Sequence, residues 1–196
     1  MATLVPPPRS SPEHDDCAQW YARELGWATT GTSPVRLLTG LRFDVLELPA
    51  AAGHAALSRV GRTGPVAVAV AGQRMRLLVA AGSADEVPGL LDWLEWGGID
   101  LDLSAVGTGG HIDAPVPPGW TASSPGAAVW LRPPGPCREA ERSLPALGGF
   151  GSSGGDAPDL VRLVDAAATE CHRVRLAHAR NHLWAHQPTG QPLAFS

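Results

Sequence analysis

Val66-Ala-Val-Ala-Val70 is apolar at every position. Successive side chains of a strand point to opposite faces, so a strand of this composition must be covered on both sides. Ala71-Gly72-Gln73 makes a tight turn into Arg74-Met-Arg-Leu-Leu-Val79, and the two segments read as a hairpin. Upstream, 35–38 and 42–48 read as strands around a Thr39-Gly40 turn, Pro49 ends the second, and 50–60 is a short Ala-rich helix. Downstream, Ser83-Ala-Asp-Glu86 has capping-box form, with Asp85 as the alternative cap that brings Pro88 nearer the first turn. Val87, Leu90, Leu91 and Leu94 give that helix an apolar face, and Gly97-Gly98 ends it. Strands interleaved with helices indicate an α/β (α+β) domain.

The flanks add helices. Ser11 and Pro12 form a helix start, Cys17, Trp20, Tyr21 and Leu25 recur at helical spacing, and Gly26 is a stop. A strand is expected at 127–131 and a short helix at 137–144. Residues 1–11 read as a flexible lead-in, 12–147 as the domain, 148–156 as a Gly/Ser linker and 157–196 as a long helix and tail. Along that helix Leu160, Val164, Ala167, Cys171, Val174 and His178 fall at spacings of four and three. This is a seam for docking on the chain's own domain or on another helix, and 157–186 is the expected element for a protein partner or self-association.

Composition narrows the function. A chain of 196 residues, 44% hydrophobic, can bury one substantial core. The 15 basic residues are all Arg, which points to coding bias, and a net charge of −4 gives no general pull toward nucleic acid. With 3 widely spaced Cys, neither a disulfide framework nor a structural zinc site is expected. No apolar run approaches the ~18 residues that span a bilayer, and the N-terminus lacks a secretory pattern. The expectation is a cytoplasmic protein with no membrane partner.

Chemistry-bearing residues concentrate around Gly98-Ile-Asp-Leu-Asp-Leu103. Read as a strand, it places Asp100 and Asp102 on one face and Ile99, Leu101 and Leu103 on the other. Paired acids can supply half of a two-metal site for nucleotidyl transfer, or can be the wet face of an edge strand. Asp44 and Glu47 are an odd number apart on their strand, hence on opposite faces, and cannot serve one metal without a bulge. Arg74 and Arg76 share a face and, with Arg59 and Arg62, form the best candidate anion patch. His111 follows Gly109-Gly110 and could approach a phosphate. His178, His182 and His186 recur every four residues, a geometry compatible with a metal.

Three segments in order resemble the bifunctional DNA primase/polymerase N-terminal (prim-pol) family, especially its small actinobacterial members. They are Phe43-Asp-Val-Leu-Glu-Leu-Pro-Ala-Ala-Ala-Gly53, Gly72-Gln-Arg-Met-Arg-Leu-Leu-Val79, and Gly98-Ile-Asp-Leu-Asp-Leu103 with Gly109-Gly-His-Ile-Asp-Ala-Pro-Val-Pro117. The resemblance covers about residues 15–135. It implies an archaeo-eukaryotic primase-like fold, with an RRM-like mixed sheet flanked by helices plus the long C-terminal helix, and nucleotidyl transfer in active members. Aligning Pro49 with the family proline puts Leu46 and Leu48 where two metal-binding Asp belong, and Met75 where a His belongs. Leucine cannot ligate Mg²⁺.

The expectation is a degenerate prim-pol-like module without cofactor, binding a nucleotide, nucleic acid or protein. Arg74, Arg76 and His111 are its phosphate-binding candidates, and Asp100, Asp102 and Asp44 its catalytic remnants. The alternatives are an active DNA primase/polymerase, with Mg²⁺ or Mn²⁺ on Asp100 and Asp102, and a helix-mediated assembly protein.

Overall fold

The computed structural model describes residues 12–61, 63–69, 73–121, 126–135, 137–148 and 159–185. The lead-in 1–11, Arg62, the 149–156 part of the expected linker, residues 157–158 of the expected helix, the His182 side chain and His186 lie outside the described residues. Helix α1 (Pro12–Trp20) runs into a π-helical turn, Tyr21–Leu25, stopped by Gly26 at φ 66. Then come β1 (Thr29–Thr30), β2 (Arg36–Leu38), β3 (Phe43–Pro49), α2 (Ala50–Val60), β4 (Val66–Ala69), β5 (Arg74–Ala80) and α3 (Ser83–Trp93). Finally β6 (Ser104–Val106), β7 (His111–Asp113), β8 (Val129–Arg132), α4 (Cys137–Arg142) and α5 (Leu160–Ala185) complete the chain.

The main sheet has the order β6-β3-β5-β4-β8, with every neighbouring pair antiparallel. Its first four members are the strands of a continuous β3-α2-β4-β5-α3-β6 unit. This is the split-βαβ arrangement of an RRM-like sheet, extended by β8 at one edge. The chain is therefore α+β. Strands β1, β2 and β7 form a separate antiparallel sheet, so the chain changes sheets at Thr39-Gly40 instead of folding back as a hairpin. Gly40 makes this possible: at φ +82, a Cβ there would sit 2.3 Å from Thr108 Cα.

Both faces of the sheet's centre are covered. Leu46, Leu48, Met75 and Leu77 pack under α2, α3 and α5, with Leu57, Val87, Leu160, Leu163 and Val164 in the same core. Gly53 lets α2 close on β5, since a Cβ there would meet Met75 Sδ at 2.3 Å. On the other face Phe43, Val45 and Leu78 pack against Tyr21, Trp27, Leu37, Ile112 and Leu144. Tyr21 ties that side together: its hydroxyl donates to the Pro115 carbonyl at 2.7 Å and accepts from Trp130 Nε1 at 3.0 Å.

The α5 seam is spent within the chain. Leu160, Val164, Ala167 and Cys171 are buried in the helix-side core, and Val174 packs against it. Among the described residues no helix is long and apolar enough to cross a membrane.

Two local expectations are corrected. Residues 99–103 are not a strand, and β6 begins only at Ser104. The ladder stops there because Ser104 opposes Glu47, and β3 gives way to α2 just past Pro49, which has no N–H to offer. Side chains still alternate, with Leu101 and Leu103 packed inward and Asp100 and Asp102 exposed. The capping box at Ser83 does not form either. Helix α3 starts from Gly82, a cap residue with no side chain to offer, Ser83 is buried, and Pro88 lies inside the helix. Asp44, 1% exposed, caps the helix from β3 by accepting the Ala84 N–H on Oδ2 at 2.9 Å. A carboxylate at a helix N-terminus is stabilised by the dipole as well as by the hydrogen bond.

Asp44→Ala is expected to lower the unfolding free energy by about 1–3 kcal/mol in urea titrations, with Asp44→Asn, which retains an acceptor, losing less. Unchanged stability of the alanine variant would remove Asp44 from the capping role.

Candidate functional site

The aromatic cover stops short of one end of the sheet, and there the strands turn polar. Antiparallel pairing sets Glu47 opposite Arg76 and Pro49 opposite Arg74. Glu47, Arg74 and Arg76 therefore share the face that carries Phe43 and Val45 further along. Arg76 Nε donates to Glu47 Oε2 at 2.9 Å, and Arg74 Nε donates to Glu47 Oε1 at 3.2 Å. Arg74 also reaches out of the sheet, donating from Nη1 to Asp102 Oδ1 at 2.7 Å. One guanidinium thus joins the sheet to the 100–102 segment.

Beside Arg74 opens a cleft of about 780 Å³, walled by the start of α2 at Pro49, Ala50 and Ala51, the start of β5, residues 100–102, and α5 around Cys171, Val174, Arg175 and His178. The first turn of α2 has no acidic residue and no side-chain cap. Its Ala50 N–H is used by the Gln73 carbonyl at 2.8 Å. Arg175 donates from Nη1 to the Asp100 carbonyl and Cys171 Sγ–H to the Asp102 carbonyl at 3.7 Å. Both contacts pin the backbone of the 100–102 segment, leaving the Asp100 carboxylate exposed and that of Asp102 on Arg74.

Charge in this corner is largely neutralised in place. Burial pushes the Glu47 carboxyl up, but the hydrogen bonds and charges of Arg76, then Arg74, outweigh that and hold it below the usual carboxylate range. Burial likewise works against the Arg74 cation, and the Asp102 and Glu47 carboxylates more than compensate, leaving its pKa raised. Burial, reinforced by Asp102 and opposed by Arg74, pushes the Cys171 thiol up to about 12. Cys171 lines the cleft as a thiol, not as a nucleophilic thiolate.

The structure brings Asp100, Asp102 and Arg74 together around the cleft, with Arg76 behind Arg74. The other candidates lie elsewhere. Asp44 sits at the far end of β3, about 16 Å of strand from Pro49, and is occupied by α3. His111 is exposed on β7 in the small sheet, because β6 runs antiparallel to β3 and carries the chain away from the cleft before the 107–110 turn. Arg59 is bound to Glu170 on α5 at 3.2 Å, so it forms no patch with Arg74 and Arg76.

The positions aligned with the family's metal ligands do not fit a divalent ion. Leu46 and Leu48 are fully buried on the helix-packed face. The acid on the opposite face, Glu47, has both oxygens engaged by guanidinium groups. Among the described residues no three His, Cys, Asp or Glu side chains gather to hold a metal.

Arg175 and the start of α2 complete the cleft without a motif of their own in the sequence. The signal for them is the seam itself: Cys171, Val174 and His178 continue it to the cleft, where Asp100 and Arg175 meet above the sheet's end. No family model matches the chain, and no curated protein or solved structure is significantly similar to it.

Because the folded carboxyl of Glu47 titrates below its unfolded value, its contribution to stability is complete above the unfolded pKa of ~4.3 and is lost as pH falls through the folded value. Urea unfolding of wild type and Glu47→Gln should therefore give a stability gap that is full at neutral pH and shrinks in acid; a gap independent of pH would contradict the clamp. In native protein at pH 8, Cys171 should resist iodoacetamide and react only once unfolded, as read by peptide mass spectrometry. Rapid native labelling would show a thiolate there.

Proposed function

We propose that this chain is a non-catalytic, prim-pol-like binding module whose cleft receives an anionic, phosphate-bearing ligand such as a nucleotide or a nucleic-acid end. The observation that carries this reading is the clamping of Glu47 by Arg74 and Arg76. A two-metal transferase needs carboxylates free to ligate cations, and here the acid facing the open end of the sheet is committed to two guanidinium groups. What the cleft offers instead is donors: Arg74, Arg175, the His178 ring and the start of α2. Arg175 has no carboxylate partner among the described residues, and its exposed guanidinium suits phosphate.

The RRM-like topology supports kinship with primase-type sheets but does not by itself imply their activity. Most of the apolar α5 seam is used inside the domain, which weighs against that face as the assembly element.

Titration with a fluorescent ATP analogue, alongside Mg²⁺- and Mn²⁺-dependent incorporation on a primed template, tests the proposal. The expected outcome is saturable binding, weakened roughly tenfold in Arg175→Ala, about the 1.4 kcal/mol of one charge-assisted hydrogen bond, with no incorporation. Incorporation that Asp100→Ala abolishes, or no binding at all, would overturn it.

A further inference from the structure

A receptor that reads a nucleotide's base needs a surface on which the base stacks or buried groups that match its edge. In an RRM-like sheet bases stack on aromatic side chains of the face away from the helices. On that side of this chain the aromatics are spent in the core. Tyr21, Trp27 and Phe43 are at most 2% exposed, and Trp130 Nε1 is committed to the Tyr21 hydroxyl. Trp93 and Trp120 are exposed but do not line the cleft, whose wall holds no Phe, Tyr or Trp among the described residues.

What does line the cleft divides in two. The donors are the guanidinium groups of Arg74 and Arg175 and the His178 ring, which follows Arg175 by about one helical turn. The apolar wall is aliphatic, formed by Ala50, Ala51, Leu101 and Val174. Such side chains touch any base by dispersion alone and carry no pattern of donors and acceptors. Gln73 and Asp100 are the polar groups left to meet a base edge, and both are exposed. Hydrogen bonding discriminates strongly where a wrong ligand leaves buried polar groups unpaired; an exposed amide or carboxylate returns to water without that penalty.

Resting on the reading of the cleft as a phosphate receptor, we infer that it grips the phosphate end of its ligand and does not read the base. The ligand class is the ribose 5′-phosphate unit of any nucleotide, whatever base it carries. The base itself lies against aliphatic wall or in the open mouth of the cleft, where its identity changes the affinity little.

The 5′-monophosphates of adenosine, guanosine, cytidine and uridine share phosphate and sugar with ribose 5-phosphate, so calorimetric titration of these five into the full chain tests the inference. Wild type should bind all five within about fivefold of one another, the least that a stacked base contributes. Arg175→Ala should weaken all five by the same factor of about ten, because the phosphate is what they share. A preference for one base beyond about fivefold, or a loss beyond it for ribose 5-phosphate, would overturn base-blind recognition while leaving the cleft as a phosphate receptor. An Arg175→Ala loss that varies with the base would do the same. Failure of all five to bind would overturn the receptor reading, and this inference with it.

Discussion

The fold depends on a central pair of strands that is apolar on both faces. β3 and β5 carry Leu46, Leu48, Met75 and Leu77 toward one side and Phe43, Val45 and Leu78 toward the other. Neither face can be left to water, so the helix side recruits α5 over α2 and α3, and the opposite side recruits the N-terminal aromatic cluster and the small sheet. In an RRM-like sheet the face away from the helices is the one available for ligands. Here most of that face is core, and its chemistry is confined to the end where Glu47, Arg74 and Arg76 replace the apolar residues.

That confinement explains why one guanidinium has so large a part. Arg74 lies where the covered sheet meets the exposed 100–102 segment, and it pairs with an acid from each side. The pair to Glu47 is mostly shielded and orients the group; the pair to Asp102 is exposed and exchangeable. Shielding makes the first contact hard to replace, because loss of one partner strands a charge. Exposure makes the second weak enough for a ligand to displace.

Much of the architecture was legible from the sequence. The β4–β5 hairpin, the helices after Pro49 and after Gly82, the aromatic helix near the N-terminus and the long terminal helix follow from periodicity and punctuation. What could not be read is what needs a third dimension. Asp44 looks like a site acid in the chain, but its partner is the N–H of Ala84, 40 residues later in the first turn of another helix. Residues 99–103 keep a strand's alternation, yet whether a strand forms depends on the neighbour, which ends in Pro49. The polar end of the sheet face that carries Glu47 was hidden because both faces of β3 are apolar over most of its length. The resemblance put Leu46 and Leu48 at the site, and the register buries them in the helix-side core, with Glu47 on the opposite face behind Arg74.

The central claim is that this corner is a receptor for phosphate built around Arg74, with Glu47 and Asp102 paired to its guanidinium groups. A crystal structure of the chain grown with adenosine 5′-monophosphate and Mn²⁺ tests it most directly. The account predicts the phosphate against Arg74 Nη1 and Arg175, the Asp102 carboxylate turned into solvent, and Glu47 still bridging Arg74 and Arg76. Mn²⁺ bound between Glu47 and Asp102, or a phosphate seated away from Arg74, would contradict it.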